Sequence, residues 1–389
     1  MSREQEAPRN PDLTIPVADV ADPRVIRPPE PGIALCLSGG GYRAMVFHAD
    51  ALMRLNECGY LHKLARISSV SGGSIAAGVL ALAWLKLQFD DLNRAANFRD
   101  LVVAPICKLA SRTIDIPAVL WGVLGPGTVA ERIAHYCRKY LFGKATLQDL
   151  PDSPRFVFNA TSLQSKSLWR FSKPYLWDWR VGKVSEPKVE LAVAVGASSA
   201  FPPVLSPVVL DLRKMAFEAH SGDSLQRPPF TTEAVLTDGG VYDNLGLETA
   251  WKRYDTILVS DAGGMYATEE KPSRGWLQHT RRVFDLIDNQ VRSLRKRQLI
   301  TSFENGTRKG TYWSIWSDIA NYRTDVNLEA PFEKTALLAS TPTRLKSLNT
   351  VAQQRLLNWG YVICDAALRK HVQPELSAPA GFPFPGGVG

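Results

Sequence analysis

The sequence predicts an α/β fold built on a largely parallel sheet, and three observations carry the prediction. A short apolar run, Gly32-Ile33-Ala34-Leu35-Cys36-Leu37, meets a glycine loop, Ser38-Gly39-Gly40-Gly41, and then Ala44, Phe47, His48, Ala51 and Leu55 recur at helical spacing. A second β-like run, Arg66 to Val70, passes through Ser71 into an apolar helix over Gly72 to Leu87. Two later runs, Ala234–Thr237 and Thr256–Ser260, each read as a strand and end on Asp238-Gly239-Gly240 and Asp261-Ala262-Gly263-Gly264. Strand, loop and helix alternate, and that alternation builds a parallel sheet covered by helices.

The remaining elements follow the same rules. Thr128 and Glu131 form a capping-box pair ahead of a helix to about Tyr140. Phe156–Thr161 and Leu168–Phe171 read as strands, and Leu191–Ala197 as a small-residue helix or strand running into Ser198-Ser199-Ala200-Phe201-Pro202-Pro203. A long amphipathic helix spans Arg274 to about Phe303 and carries Arg281, Arg282, Arg292, Arg295, Lys296 and Arg297. One or two closing helices fall in Thr341 to Lys370. Residues 1–30 are rich in proline and charge and read as a loose tail. From about Gln373 the proline and glycine content suggests that the ordered domain has stopped. The expected organisation is one domain over 31–371, with insertions at about 90–150 and 266–340, and a Pro/Gly-rich tail over 372–389.

Bulk properties narrow the class. The chain has 389 residues, 45% hydrophobic and 22% charged, which suits a globular protein with a sizeable core. The net charge of +8 fits an anionic partner or simply a mildly basic surface. No nucleic-acid-binding motif accompanies it, and the basic helix lacks interleaved stacking aromatics, so no nucleic acid is expected as a partner. Cys36, Cys58, Cys107, Cys137 and Cys364 have no metal or CxxC spacing and read as reduced residues. The N-terminus lacks an apolar h-region, and the most apolar run, Ile75 to Leu85, is too short to span a bilayer. A cytoplasmic protein is expected, one that meets any lipid from the surface.

Three loops carry chemistry. Ser38–Gly41, Ser71–Gly73 and Asp238–Gly240 each follow a predicted strand, and the carboxyl ends of parallel strands share one edge. Ser71 on a tight strand-to-helix turn can attack a carbonyl. Backbone N–H groups of the glycine loop can hold the developing oxyanion, because glycine lets the backbone approach closely. Asp238 can take the serine proton. Each piece has a plainer reading. The loop alone can be a phosphate-binding turn, although it lacks a P-loop ending, and Gly39-x-Gly41-x-x-Ala44 only approximates a dinucleotide fingerprint. Ser71 alone can be a helix N-cap, and Asp238-Gly239 a turn. Their order and setting favour the joint reading.

Four segments resemble the patatin-like phospholipases: LSGGGYRAMVFHA (37–49), SSVSGGSIAAG (68–78), GASSAFPPVLSPV (196–208) and LTDGGVYDNLGLE (236–248). The resemblance spans roughly residues 31–265, and the ending RLKSLNTVAQQRLLNWGYVICDAALR extends it to about 370. It implies a three-layer α/β/α fold with a mostly parallel central sheet, and lipid acyl hydrolysis by a Ser–Asp dyad. It carries the nucleophile onto Ser71, the aspartate onto Asp238, and the oxyanion loop onto Gly39, Gly40, Gly41 and Arg43. Gly72, Gly73, Gly239 and Gly240 support the elbow and the aspartate loop. Ser69 and Ala44 stand where the family usually has glycine. The implied substrate is a phospholipid or other glycerolipid, with a peripheral membrane surface as a candidate partner. The alternatives are acyl transfer through the same acyl-enzyme and a non-catalytic membrane-binding protein on the same fold. The dyad needs no metal and no cofactor, so hydrolysis is expected to survive a chelator. His220, His279 and His371 follow the nucleophile in the chain but read as surface residues. Trp169 to Arg180 interleaves aromatics with cations; a strand and turn completing the core is favoured over a membrane contact. The basic run 281–297 reads as a solvated helix face, with headgroup binding as the alternative.

Overall fold

The computed structural model describes residues 29–114, 129–203, 205–265, 268–325 and 327–389. Its strands, in chain order, are β1 (Glu30–Leu37), β2 (Leu64–Ser69), β3 (Arg155–Ser162), β4 (Leu168–Ser172), β5 (Tyr175–Asp178), β6 (Gly182–Ser185), β7 (Val208–Asp211), β8 (Glu233–Asp238), β9 (Tyr254–Asp261) and β10 (Lys309–Ser314). They form one sheet, ordered β10-β9-β1-β2-β3-β4-β5-β6, with β8 pairing β3 and β7 pairing β8. From β10 to β3 every pairing is parallel. Beyond β3 the sheet turns antiparallel.

The main helices are α1 (Gly41–Glu57), α2 (Gly72–Ala83), α3 (Ala104–Ala110), α4 (Val129–Cys137), α5 (Leu191–Ser198), α6 (Gly240–Asp243), α7 (Glu248–Trp251), α8 (Trp276–Glu304), α9 (Phe332–Ala339) and α10 (Thr350–His371). Strand β1 shows why the fold has three layers. Its side chains alternate across the sheet. Leu35 and Leu37 enter the large core with α1 and α2, while Ala34 and Cys36 enter a smaller core with Leu245, Leu247, Ala250 and Leu299. A strand covered on both faces must be apolar throughout, as this one is. Helix α10 packs on α1, and a Cβ at Gly360 would lie 2.0 Å from the Phe47 carbonyl oxygen. Across that interface buried Asp365 receives Arg54 Nη2 at 2.6 Å, and within α10 it receives Arg369 Nε at 2.8 Å.

The structure differs from the sequence expectation in the strand that carries Asp238. It does not join the parallel edge. Strand β8 runs antiparallel to β3, with Asp238 opposite Ala160 and Leu236 opposite Ser162. Strand β2 is parallel to β3, with Ser69 opposite Phe158. Both lie on the flank of β3 away from β4, so the carboxyl ends of β2 and β8 meet head to head. Their facing positions are two residues apart along β3, about 7 Å at strand rise.

Other expectations are also refined. The stretch 266–340 supplies β10, the edge strand, as well as α8. The stretch from Gln373 does not leave the body. Asn358 Nδ2 donates to the Phe384 and Gly387 carbonyls, Arg99 lies 4.4 Å from the Phe384 ring centre, and Val388 is buried. A proline- and glycine-rich segment can pack without forming an element of its own. The aromatic–cation segment folds as the β4–β5 hairpin, with Trp169 and Phe171 buried and Arg170 lying 4.1 Å from the Trp177 ring centre. Residues 1–28 of the expected tail, and Thr128 of the expected capping box, lie outside the described residues. All five cysteines are free thiols.

Candidate active site

The site begins with Ser71. It links β2 to α2 at φ 51° and ψ −121°, a backbone conformation costly for any residue but glycine. Ser71 occupies the position before α2, yet its side chain makes no capping bond. That separates it from an ordinary N-cap, whose hydroxyl would be engaged with the helix. The turn is tight because neighbouring backbones crowd it. A Cβ on Gly72 would lie 2.1 Å from the Gly41 carbonyl oxygen, and one on Gly73 would lie 2.5 Å from that of Leu37.

The glycine loop sits against this turn. Gly40 and Gly41 take φ 145° and 59°, and a Cβ on Gly39 would come within 3.1 Å of the Ser71 Cβ. Within the loop the Gly39 N–H is committed to the Asn244 carbonyl, and Tyr42 N–H to that of Arg344. Gly40 and Gly41 stand at the start of α1, where N–H groups have no intrahelical acceptor. The Arg43 side chain anchors the loop that the resemblance assigns to the oxyanion. Its guanidinium is buried and donates to the carbonyls of Ala339, Thr341 and Ala262 at 2.7, 2.7 and 2.8 Å. It clamps the loop to the end of β9 and to the segment after α9.

Asp238 ends β8 and is fully buried. Its Oδ1 accepts the Gly240 N–H at 2.7 Å, which is the turn role that the Asp-Gly dipeptide predicts. Its Oδ2 is buried and has no hydrogen-bond partner of ordinary geometry. Burial pushes the carboxyl up to about 7, against the Gly240 N–H and the Ser71 hydroxyl, which lower it; the charge of Asp288 on α8 raises it further. A carboxyl near 7 beside a serine is suited to take a proton at neutral pH. A Cβ on Gly239 would meet the Asn159 carbonyl oxygen at 2.2 Å, so β3 and the aspartate loop are in close contact.

Sequence reasoning missed the residues that hold these parts together. The Ser198 carbonyl accepts from Ser71 N–H at 3.2 Å and from Gly239 N–H at 3.3 Å. The Ser198 hydroxyl also accepts from Ser71 N–H at 3.1 Å and shares a 2.8 Å bond with Ser74. Two residues on, the Ala200 carbonyl receives Asp238 N–H at 2.9 Å. The segment after α5 thus ties both halves of the site. Asn159 Nδ2 binds Ser68 Oγ and the Ser69 carbonyl, and Thr161 Oγ1 donates to the Asp238 carbonyl. Beneath the glycine loop His48 is buried against Ser260 Oγ and the Ser38 carbonyl, and burial pushes it down to about 4, so it stays neutral. Its helical spacing reads as core, and nothing local marks its partners. His220, His279 and His371 are exposed, as expected. Among the described residues no cluster of three or more His, Cys, Asp or Glu side chains is disposed to hold a metal ion, and no helix is long and apolar enough to cross a membrane.

Comparison with known proteins agrees with this fold. No curated protein sequence matches the chain. Among solved structures, human GIVD cytosolic phospholipase A2 is similar in fold, with a TM-score of 0.50 at 11% identity over 86% of this chain and 61% of that one. The same human enzyme in complex with methyl gamma-linolenyl fluorophosphonate gives 0.50 at 13% identity, over 86% and 57%. This chain therefore spans about three fifths of the length of the human protein. A sequence profile of the patatin-like phospholipases matches residues 35–251, which is more than half of the chain and includes the glycine loop, Ser71 and Asp238. The chain belongs to the patatin-like phospholipase family.

Proposed function

We propose that this protein is a lipid acyl hydrolase that cleaves fatty-acyl esters of glycerolipids through an acyl-enzyme on Ser71, with Asp238 as its base. One observation carries the reading. A serine held in a strained elbow, its hydroxyl unused by the helix it precedes, lies beside a buried carboxyl that has one oxygen without a well-formed partner.

In this reading Ser71 Oγ attacks the ester carbonyl carbon while its proton passes to Asp238. The N–H groups of Gly40 and Gly41 receive the charge that gathers on the carbonyl oxygen. As the intermediate collapses, the carbon–oxygen bond to the alcohol breaks, and Asp238 returns the proton to the leaving alkoxide. Water then attacks the acyl-serine, giving its proton to Asp238. The second collapse breaks the acyl–serine bond, releases the fatty acid and restores the Ser71 hydroxyl. A carboxylate working without histidine must be both orienter and base, and a value near 7 lets it do both.

The test is covalent labelling. Purified protein is treated with a long-chain fluorophosphonate, its intact mass measured and the adduct mapped by peptide sequencing. A single stoichiometric adduct on Ser71, lost in Asp238→Asn, is the expected result. No adduct, or one on another serine, would overturn the assignment.

A further inference from the structure

Single exposed apolar side chains are ordinary on a protein surface, but a concentration of them marks a contact surface. Among the described residues seventeen large apolar side chains are exposed, and seven of these are on α8: Trp276, Val283, Phe284, Leu286, Ile287, Val291 and Leu294. Trp276 is 81% exposed and Phe284 65%. Trp276, Val283, Ile287 and Leu294 recur at spacings of seven, four and seven, which places them on one stripe of the helix. The opposite face holds the body: Leu299 is fully buried, Arg292 donates to the Gly264 carbonyl, and Arg295 meets Glu248 at 3.1 Å.

The helix lies beside the catalytic loops. Arg292 reaches Asp261 and Gly264, at the segment that Arg43 ties to the glycine loop. Asp288 is close enough for its charge to act on Asp238. Further exposed apolar residues flank the same loops: Met265 directly after Gly264, Val241 on α6, and Phe201 just after Ser198–Ala200.

We infer that α8 docks the protein on an anionic lipid surface, its apolar stripe entering the surface beside the mouth of the site. The choice of a lipid partner rests on the hydrolase reading; the rest stands on the helix. Charge argues for this occupant over a second copy of the chain. Residues 271–304 hold eight cations and three carboxylates, a net +5 of the chain's +8. Two such helices face to face would repel, whereas anionic headgroups attract them. Arg297, exposed and within about 60° of the stripe, lies along its flank, where a helix resting in the interface presents its cations to headgroups.

The test is flotation of the full chain with phosphatidylcholine vesicles, with and without phosphatidylserine, at low and high salt. Binding is expected on the phosphatidylserine vesicles and is expected to fall about tenfold or more at high salt. The double variant Phe284→Ser, Ile287→Ser removes two exposed apolar anchors and should bind about tenfold more weakly or less. Arg274→Glu with Arg297→Glu should abolish the preference for phosphatidylserine. Because all four side chains point away from the core, circular dichroism and melting should match the parent. Ser71→Ala should bind like the parent, so failure of the hydrolase reading would leave this result intact. Binding that is absent, or that neither double variant weakens, would overturn the proposal. A concentration-dependent dimer lost in Phe284→Ser, Ile287→Ser, without vesicle binding, would also overturn it.

Discussion

Replacing Asp238 by Asn separates what the buried carboxylate costs the fold from what it does for the chemistry. The carboxyl's ordinary value is 3.8, and in the fold it is pushed up to about 7 by burial. Between those values the unfolded chain has released the proton while the folded chain keeps it, so stability falls as pH rises through this window and is level above it. At about 1.4 kcal/mol per pH unit, the penalty approaches roughly 4 kcal/mol above pH 7, and is under half of that near pH 5. Asparagine keeps an oxygen for the Gly240 N–H and cannot ionise. Asp238→Asn should therefore stabilise the protein, by about 2–3 kcal/mol more at pH 8 than at pH 5. Chemical denaturation of both proteins at the two pH values reads the difference, and fluorophosphonate labelling reads the loss of the base. A gain equal at both pH values would refute the buried-carboxylate account. A variant that is less stable at pH 8 than the parent would refute it too, because the folded carboxylate would then be favoured.

Three further substitutions test the framework around Ser71 and Asp238 and the packing of α10 on α1. Ser198→Ala removes one hydrogen bond to the Ser71 N–H but leaves the carbonyl; a loss of about 1 kcal/mol should slow fluorophosphonate labelling about fivefold, and an unchanged rate would remove the hydroxyl from the positioning scheme. Gly72→Ala puts a Cβ 2.1 Å from the Gly41 carbonyl oxygen, so the elbow and glycine loop must part; labelling should be lost, with a cost of about 1–3 kcal/mol in denaturation, and parent-like labelling would show that the loop can move aside. Asp365→Ala removes the buried carboxylate that Arg54 and Arg369 share and should cost about 3 kcal/mol, measured by denaturation; under 1 kcal/mol would mean that their other partners or water replace the carboxylate.

Much of the candidate site was legible before any coordinates, because it is written in local pattern. The apolar run 32–37, the three glycines and the helical spacing from Ala44 are short-range signals, and they produced β1, the loop and α1. Ser71 between a β-like run and two glycines predicts its own elbow, and the backbone adopts it. The short strands β5, β6 and β7 escaped notice, since four residues carry too little periodicity to separate strand from loop.

By itself the sequence determined the kind of element at each point, and which side chains stood ready for chemistry. Only the tertiary structure decided how they meet. A six-residue strand reads the same whichever way it runs, so the antiparallel course of β8 appears only in its pairing with Ala160 and Thr161. That pairing, not a shared parallel edge, turns Asp238 toward Ser71. The carbonyl of Ser198, more than a hundred residues from Ser71, holds both loops through backbone bonds that no side-chain pattern announces. Arg43 became a clamp because carbonyls from distant segments converge on its guanidinium. Likewise, amphipathic spacing on α8 implies a covered apolar face, and the fold leaves that stripe exposed because Leu299, Arg292 and Arg295 on the other side make the contact with the body. Hydrophobic period is a property of a few neighbouring residues, whereas pairing direction, convergence and burial depend on contacts between residues far apart in the chain.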